Sequence, residues 1–125
     1  MIKETDLAYI AGFVDGEGCV GYQSKRKKYP WITITNTDKA ILDWIKDTLG
    51  IHSSFYVASP SLLRTKNCYR LRYVGSYAIQ VVKLLLPYLK IKRLIAVELS
   101  QVVILPHPYN KGRHKALPLS TSYLS

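Results

Sequence analysis

Residues Tyr9 to Gly18 read YIAGFVDGEG, an apolar run of helical character that stops in two carboxylates, Asp15 and Glu17, each beside a glycine. The C-terminal end of a helix carries the negative pole of the backbone dipole and disfavours acids. Glycine inside a helix costs about 1 kcal/mol relative to alanine. A helix that ends this way holds its acids for something other than its own stability. Thr5 or Asp6 is placed to cap it, and Gly16 and Gly18 to end it.

Downstream of this helix the period changes to two. Val20 and Tyr22 alternate with Gly21, Gln23 and Lys25, and the basic turn SKRKKYP follows. In WITITN, Ile32 and Ile34 take one side while Trp31, Thr33 and Thr35 take the other, so the two runs predict a hairpin with one apolar and one polar face. Thr37 or Asp38 then caps a second helix, KAILDWIKDTLG, with Ile41, Leu42 and Ile45 as its apolar stripe and Gly50 as its stop. The pattern repeats. SSFYVAS and CYRLRYVG predict a second hairpin around a loop containing Pro60; Ser76 is placed to cap a third helix that Pro87 kinks or ends. A fourth helix fits KRLIAVELSQVVIL, closed by Pro106 and Pro108. The fold class is α+β, in the order αββαββα with a further helix. A four-stranded antiparallel sheet has helices on one face and leaves the other open.

The chain has 125 residues and reads as a single domain, with a core from about residue 5 to 105 and a basic extension over 106–125. Lys and Arg number 18 against 8 Asp and Glu, a net charge of +10, and beyond Asp47 the only acid is Glu98. That imbalance suits a polyanion, with nucleic acid ahead of an anionic membrane surface. No apolar segment reaches the roughly 20 residues of a membrane span, and the N-terminus lacks the layout of a signal peptide. The two cysteines, Cys19 and Cys68, point to an intracellular, reducing compartment rather than a disulfide framework. His52, His107 and His114 lack the spacing of a zinc site.

The open sheet face is expected to carry Gln23, Lys25, Trp31, Thr33, Arg70 and Arg72, with Arg26, Lys27 and Lys28 in the adjoining turn. Strands of about nine residues at roughly 3.3 Å each match the run of a DNA groove, and a two-stranded ribbon fits its major side. Double-stranded DNA is thus the expected partner. GEGCVG also matches the glycine pattern of dinucleotide sites. Its order is wrong, because a helix precedes it and a strand follows, and Glu17 would repel a phosphate. On the first helix Ala8 and Gly12 share one face, and Ala11 and Asp15 a neighbouring one. A second copy of this helix packed about a twofold axis accounts for the small residues better than a core contact does.

YIAGFVDGEG resembles the signature of the LAGLIDADG homing endonucleases. Ile10 to Gly18 spans every position of that motif; Ala11, Gly12, Asp15 and Gly18 match it outright, and Glu17 replaces the second Asp while keeping the carboxylate. The resemblance implies that the acids lie at the base of paired helices above DNA, positioned for a divalent cation. One signature per chain implies a homodimer that meets through Ala8, Ala11, Gly12 and Asp15. Glu17 would hold Mg²⁺ or Mn²⁺ with help from the backbone carbonyl of Gly16. Asn36, at the end of TITN, would orient water. Lys92, in LPYLKIKR, would lie near the scissile phosphates ahead of Lys90, and Lys39 would supply a second basic group. The implied reaction is hydrolysis of one phosphodiester in each strand of a long, near-palindromic site, leaving 3′ overhangs. A non-cleaving RNA maturase, a DNA-binding regulator and a basic structural protein are the competing readings.

Overall fold

The computed structural model describes residues 1–22, 29–58 and 67–102. In chain order it contains α1 (Glu4–Glu17), β1 (Gly18–Tyr22), β2 (Pro30–Asn36), α2 (Lys39–Leu49), β3 (Ser54–Val57), β4 (Tyr69–Val74), α3 (Gly75–Leu85), a 3-10 turn (Leu86–Tyr88) and α4 (Arg93–Ser100). The expected α+β order is realised. Gln23, Lys25, Arg26, Lys27, Lys28, the Pro60 loop and the stretch from residue 103 onward lie outside the described residues.

The four strands form one antiparallel sheet in the order β1-β2-β4-β3, two hairpins joined through their second strands. Ile32 pairs with Val20 and Tyr73, and Ile34 with Gly18 and Leu71. Directly opposed residues share a face, so these rungs define the apolar side. Ile32, Ile34, Leu71 and Tyr73 are each no more than 1% exposed. Against them pack Leu7, Ile10, Ala11 and Val14 of α1, Leu42, Ile45 and Leu49 of α2, Ala78, Val81, Val82 and Leu85 of α3, and Ala96 and Leu99 of α4. Among the described residues no helix is long and apolar enough to cross a membrane.

Local chemistry sets most of the boundaries. Asp38 caps α2, its Oδ1 accepting from the N–H groups of Ala40 at 3.0 Å and Ile41 at 3.3 Å. Gly50 closes that helix in the left-handed region at φ 63°. Two caps differ from expectation. α1 starts at Glu4 behind Lys3, without a side-chain cap from Thr5 or Asp6. The Leu7 N–H finds the Lys3 carbonyl at 3.0 Å instead, and the acids Glu4 and Asp6 sit in the first turn, where the dipole favours them. Nor does Ser76 cap α3, which begins one residue earlier at Gly75. Gly75 adopts φ 61°, and a Cβ there would lie 2.8 Å from the Tyr29 hydroxyl, so the strand-to-helix corner is built on glycine. Pro87 acts as expected, ending α3 at Leu85 and passing the chain into the 3-10 turn.

Asp38→Ala is expected to cost about 1 kcal/mol of stability by removing the α2 cap, while Asp38→Ser retains most of it. Urea denaturation of the two variants beside the parent checks the order.

Candidate active site and nucleic-acid interface

The carboxylates of the opening motif are delivered by the junction of α1 with β1. α1 continues through Gly16 to Glu17, so Gly16 does not stop the helix; Gly18 is its C-terminal cap and already extended, at φ −99° and ψ 167°. A Cβ at Gly18 would come within 2.9 Å of the Val14 carbonyl oxygen. Only glycine lets the chain step from helix to strand there without a loop. Glu17 is consequently exposed at the mouth of β1, with no hydrogen bond or ion pair among the described residues.

Asp15, two residues earlier, is fully engaged. Its Oδ2 accepts from the Lys90 N–H at 2.8 Å and its Oδ1 from the Lys92 N–H at 2.9 Å. Lys92 in turn donates its ammonium to the Asp15 backbone carbonyl at 2.6 Å. Lys92 is the residue before α4 and has no side-chain cap of its own, so α1 supplies the anionic group for the turn that starts α4. Partial burial pushes the Asp15 carboxyl up. The N–H groups of Lys90, Lys92 and Ile91, with the Lys92 charge, outweigh it and hold the group below its ordinary 3.8. The Lys92 ammonium meanwhile occupies the cation-favouring end of the α1 dipole, on the Asp15 carbonyl.

The remaining expected residues divide. Gly18 stands opposite Ile34 in the sheet, and Asn36 lies two residues further along β2 on the same helix-covered side, toward the end where α1 enters. Its Oδ1 accepts from the Asp38 N–H at 2.8 Å. Lys39 lies across the sheet from Gly18. It pairs with Asp43 at 2.9 Å and lies 5.3 Å from the Phe55 ring on β3, the sheet edge opposite β1. Its position at the first turn of α2 directs it along that helix, where an acid four residues on is its natural partner.

Glu17 and the Gly16 carbonyl are hard oxygen donors of the kind magnesium takes. Among the described residues no group of three His, Cys, Asp or Glu side chains could hold a metal ion. Within one chain the oxygen donors at this end of α1 are the Glu17 carboxylate and the Gly16 carbonyl.

On the outer side of α1, Ala8, Gly12 and Gly16 are exposed, and a Cβ added at Gly12 or Gly16 would meet nothing within 4 Å. Nothing among the described residues requires glycine there. Ala11 and Asp15, expected on the same contact surface, belong elsewhere. Ala11 is 0% exposed within its own core, and the Asp15 carboxylate is committed to the turn before α4. The reason is helical phase: Ala11 falls in line with Leu7 on the buried stripe, whereas Ala8, Gly12 and Gly16 form a separate row.

The open face of the sheet carries a repeated pattern. Arg72 opposes Thr33 and donates from Nη1 to its hydroxyl at 3.0 Å, while its guanidinium lies 5.3 Å from the Trp31 ring. Arg70 opposes Thr35, donates from Nε to its hydroxyl at 3.3 Å, and lies 5.8 Å from the Tyr56 ring. Trp31, Thr33, Arg70 and Arg72 thus share the face on which alternation puts them. Thr35 and Tyr56 complete the set. Thr35 follows from the same alternation, but Tyr56 needs the pairing of β3 with β4, which two separate segments do not disclose.

A family model of the LAGLIDADG-like domain matches residues 4–86. With helix, hairpin, helix and hairpin in this order and the acids at the end of α1, the chain belongs to that family. No curated protein matches it. Among solved structures it is similar to the homing endonuclease I-CvuI in complex with the I-CreI target in 2 mM Mg, the DNA not cleaved. There the identity is 28% and the TM-score 0.57, over 75% of this chain and 62% of that one. The same endonuclease with its own target in 2 mM Ca matches at 25% identity and TM-score 0.57, over 78% and 68%. The archaeal intron-encoded homing endonuclease I-Vdi141I, complexed with DNA, shares the fold at 17% identity and TM-score 0.63, over 78% and 66%. The chain spans less than two thirds of the first of these proteins.

Asp15→Ala leaves the Lys90 and Lys92 N–H groups without their acceptor, and a loss of about 1 to 3 kcal/mol is expected. Because folding lowers the Asp15 pKa, its ionic contribution is complete above the ordinary value of 3.8 and drains as pH falls through the lower folded value. Stability measured from pH 6 to about 2 should therefore fall less steeply in Asp15→Asn than in the parent; equal acid limbs would count against the assignment.

Proposed function

We propose that the chain is a site-specific DNA endonuclease that works as a homodimer and hydrolyses one phosphodiester in each strand with a divalent metal. The observation that carries this reading is the combination, in one compact unit, of a Glu17 exposed at the end of α1, a Lys92 ammonium held on the Asp15 backbone carbonyl, and a sheet face bearing Arg70 and Arg72. Membership of the LAGLIDADG family and likeness to homing endonucleases seen on DNA support it. The free thiols of Cys19 and Cys68 suit an intracellular, reducing setting.

Two chains would meet along Ala8, Gly12 and Gly16, which places both Glu17 side chains at the dyad. Glu17 of each copy and the Gly16 carbonyl would hold Mg²⁺ or Mn²⁺. Bound there, the ion supplies Lewis acidity toward the phosphate and a lowered pKa for the attacking water. Lys92 contributes fixed positive charge where the transition state gathers negative charge. Asn36 orients water at the end of β2. The open sheets of the two copies then lie along successive half-sites of a near-palindrome, and scission across the minor groove leaves 3′ overhangs.

Glu17→Gln is expected to abolish Mg²⁺-dependent cleavage while DNA affinity stays within about twofold, because phosphate contacts from Lys and Arg dominate binding. A cleavage assay and a gel shift on one preparation read both quantities. Cleavage at the parent rate removes the metal assignment, and intact binding without cleavage by the parent favours a regulator or maturase. The dimer has its own test. Gly12→Ala is tolerated by the isolated fold and even favoured by helix propensity, by about 1 kcal/mol. Gly12→Leu should convert the dimer to a folded monomer in analytical ultracentrifugation. A dimer that survives it does not use this face.

A further inference from the structure

The two arginines of the open face are held, not merely exposed. Arg70 and Arg72 lie two residues apart on β4, and each meets a threonine hydroxyl directly across on β2 and an aromatic ring at its side. The unit Arg–Thr–aromatic occurs twice on alternate rungs of one face, with Thr33 and Trp31 serving Arg72, and Thr35 and Tyr56 serving Arg70. A long cationic side chain on an open surface ordinarily samples many rotamers, and ordering it on binding costs free energy. Here the ordering is done before any ligand arrives.

We infer that Thr33 and Thr35 are positioning residues for sequence discrimination, orienting the guanidinium groups toward base edges; this rests on the DNA-binding reading above. Which donors the hydroxyls consume decides what each arginine has left. A guanidinium carries five N–H donors in a fixed plane. Arg70 gives its Nε–H to Thr35, so its two terminal nitrogens remain together as an end-on fork. Arg72 gives one hydrogen of Nη1 to Thr33, so the side edge formed by Nε and Nη2 remains whole. Each keeps one two-donor edge, the arrangement that matches the O6 and N7 acceptors of guanine in the major groove. The Trp31 ring lies 5.3 Å from the Arg72 guanidinium and the Tyr56 ring 5.8 Å from that of Arg70. The two arginines therefore address neighbouring positions through different edges, and the threonines select which edge.

The test uses the full chain and a pool of randomised DNA duplexes. The parent first selects its preferred sequence, and each position is then changed in turn and measured by competition, beside an unrelated duplex. Thr33→Val and Thr35→Val keep a β-branched side chain suited to a strand and remove the hydroxyl acceptor. Each is expected to reduce discrimination by about three- to tenfold at one or two positions per half-site. Affinity for the unrelated duplex and the salt dependence should stay as in the parent. Thr33→Ser and Thr35→Ser restore the acceptor and should restore discrimination, which a purely structural role of the methyl group would not do. Unchanged discrimination in the valine variants overturns the inference while leaving DNA binding intact, as does a uniform loss across all positions. A parent that selects no sequence overturns the DNA-binding reading itself, and this inference with it.

Discussion

The carboxylate of Asp15 binds the start of α4 to the end of α1, and the geometry of the site follows from that contact. Asp15 is placed by α1, whose buried stripe of Leu7, Ile10, Ala11 and Val14 is pressed onto the sheet. Lys90 and Lys92 lie 75 and 77 residues later, and their N–H groups close on its two oxygens. The same clasp carries the Lys92 ammonium to the last turn of α1, onto the Asp15 carbonyl. An acid at the C-terminal end of a helix is locally unfavourable. Here it is repaid by charge-assisted hydrogen bonds from the turn before another helix.

This division of labour answers why the motif needs two acids. Asp15 holds structure, with both oxygens occupied and its carboxyl kept ionised by donors and by Lys92. Glu17 is left exposed, with no hydrogen bond or ion pair among the described residues. Gly18 makes the difference possible, because a side chain there would collide with Val14 and force a loop between helix and strand. Without that loop, Glu17 stays in register with the sheet end on which Asn36 also lies.

The sheet separates two tasks by alternation. Its even-numbered positions on β2, Ile32 and Ile34, are sealed beneath the helices, while Trp31, Thr33 and Thr35 stand on the open side. Covering one face completely lets the other be polar, charged and ordered at once. The arginines on β4 are fastened across the strand boundary to the threonine hydroxyls of β2.

Much of this was legible along the chain, because helical and strand periods are local properties of the backbone. WITITN declared its two faces, Asp38 and Gly50 bracketed α2, and the paired acids of YIAGFVDGEG marked the C-terminal end of α1. The tertiary structure decided what those residues meet. It turned Ala11 into the core, gave Asp15 a partner far along the chain, set Lys39 between Asp43 and Phe55, and set Tyr56 beside Arg70. Helical phase against a particular sheet, strand register and the closure of distant turns depend on how separated segments pack. A one-dimensional pattern constrains which faces are buried, not which residues on them touch.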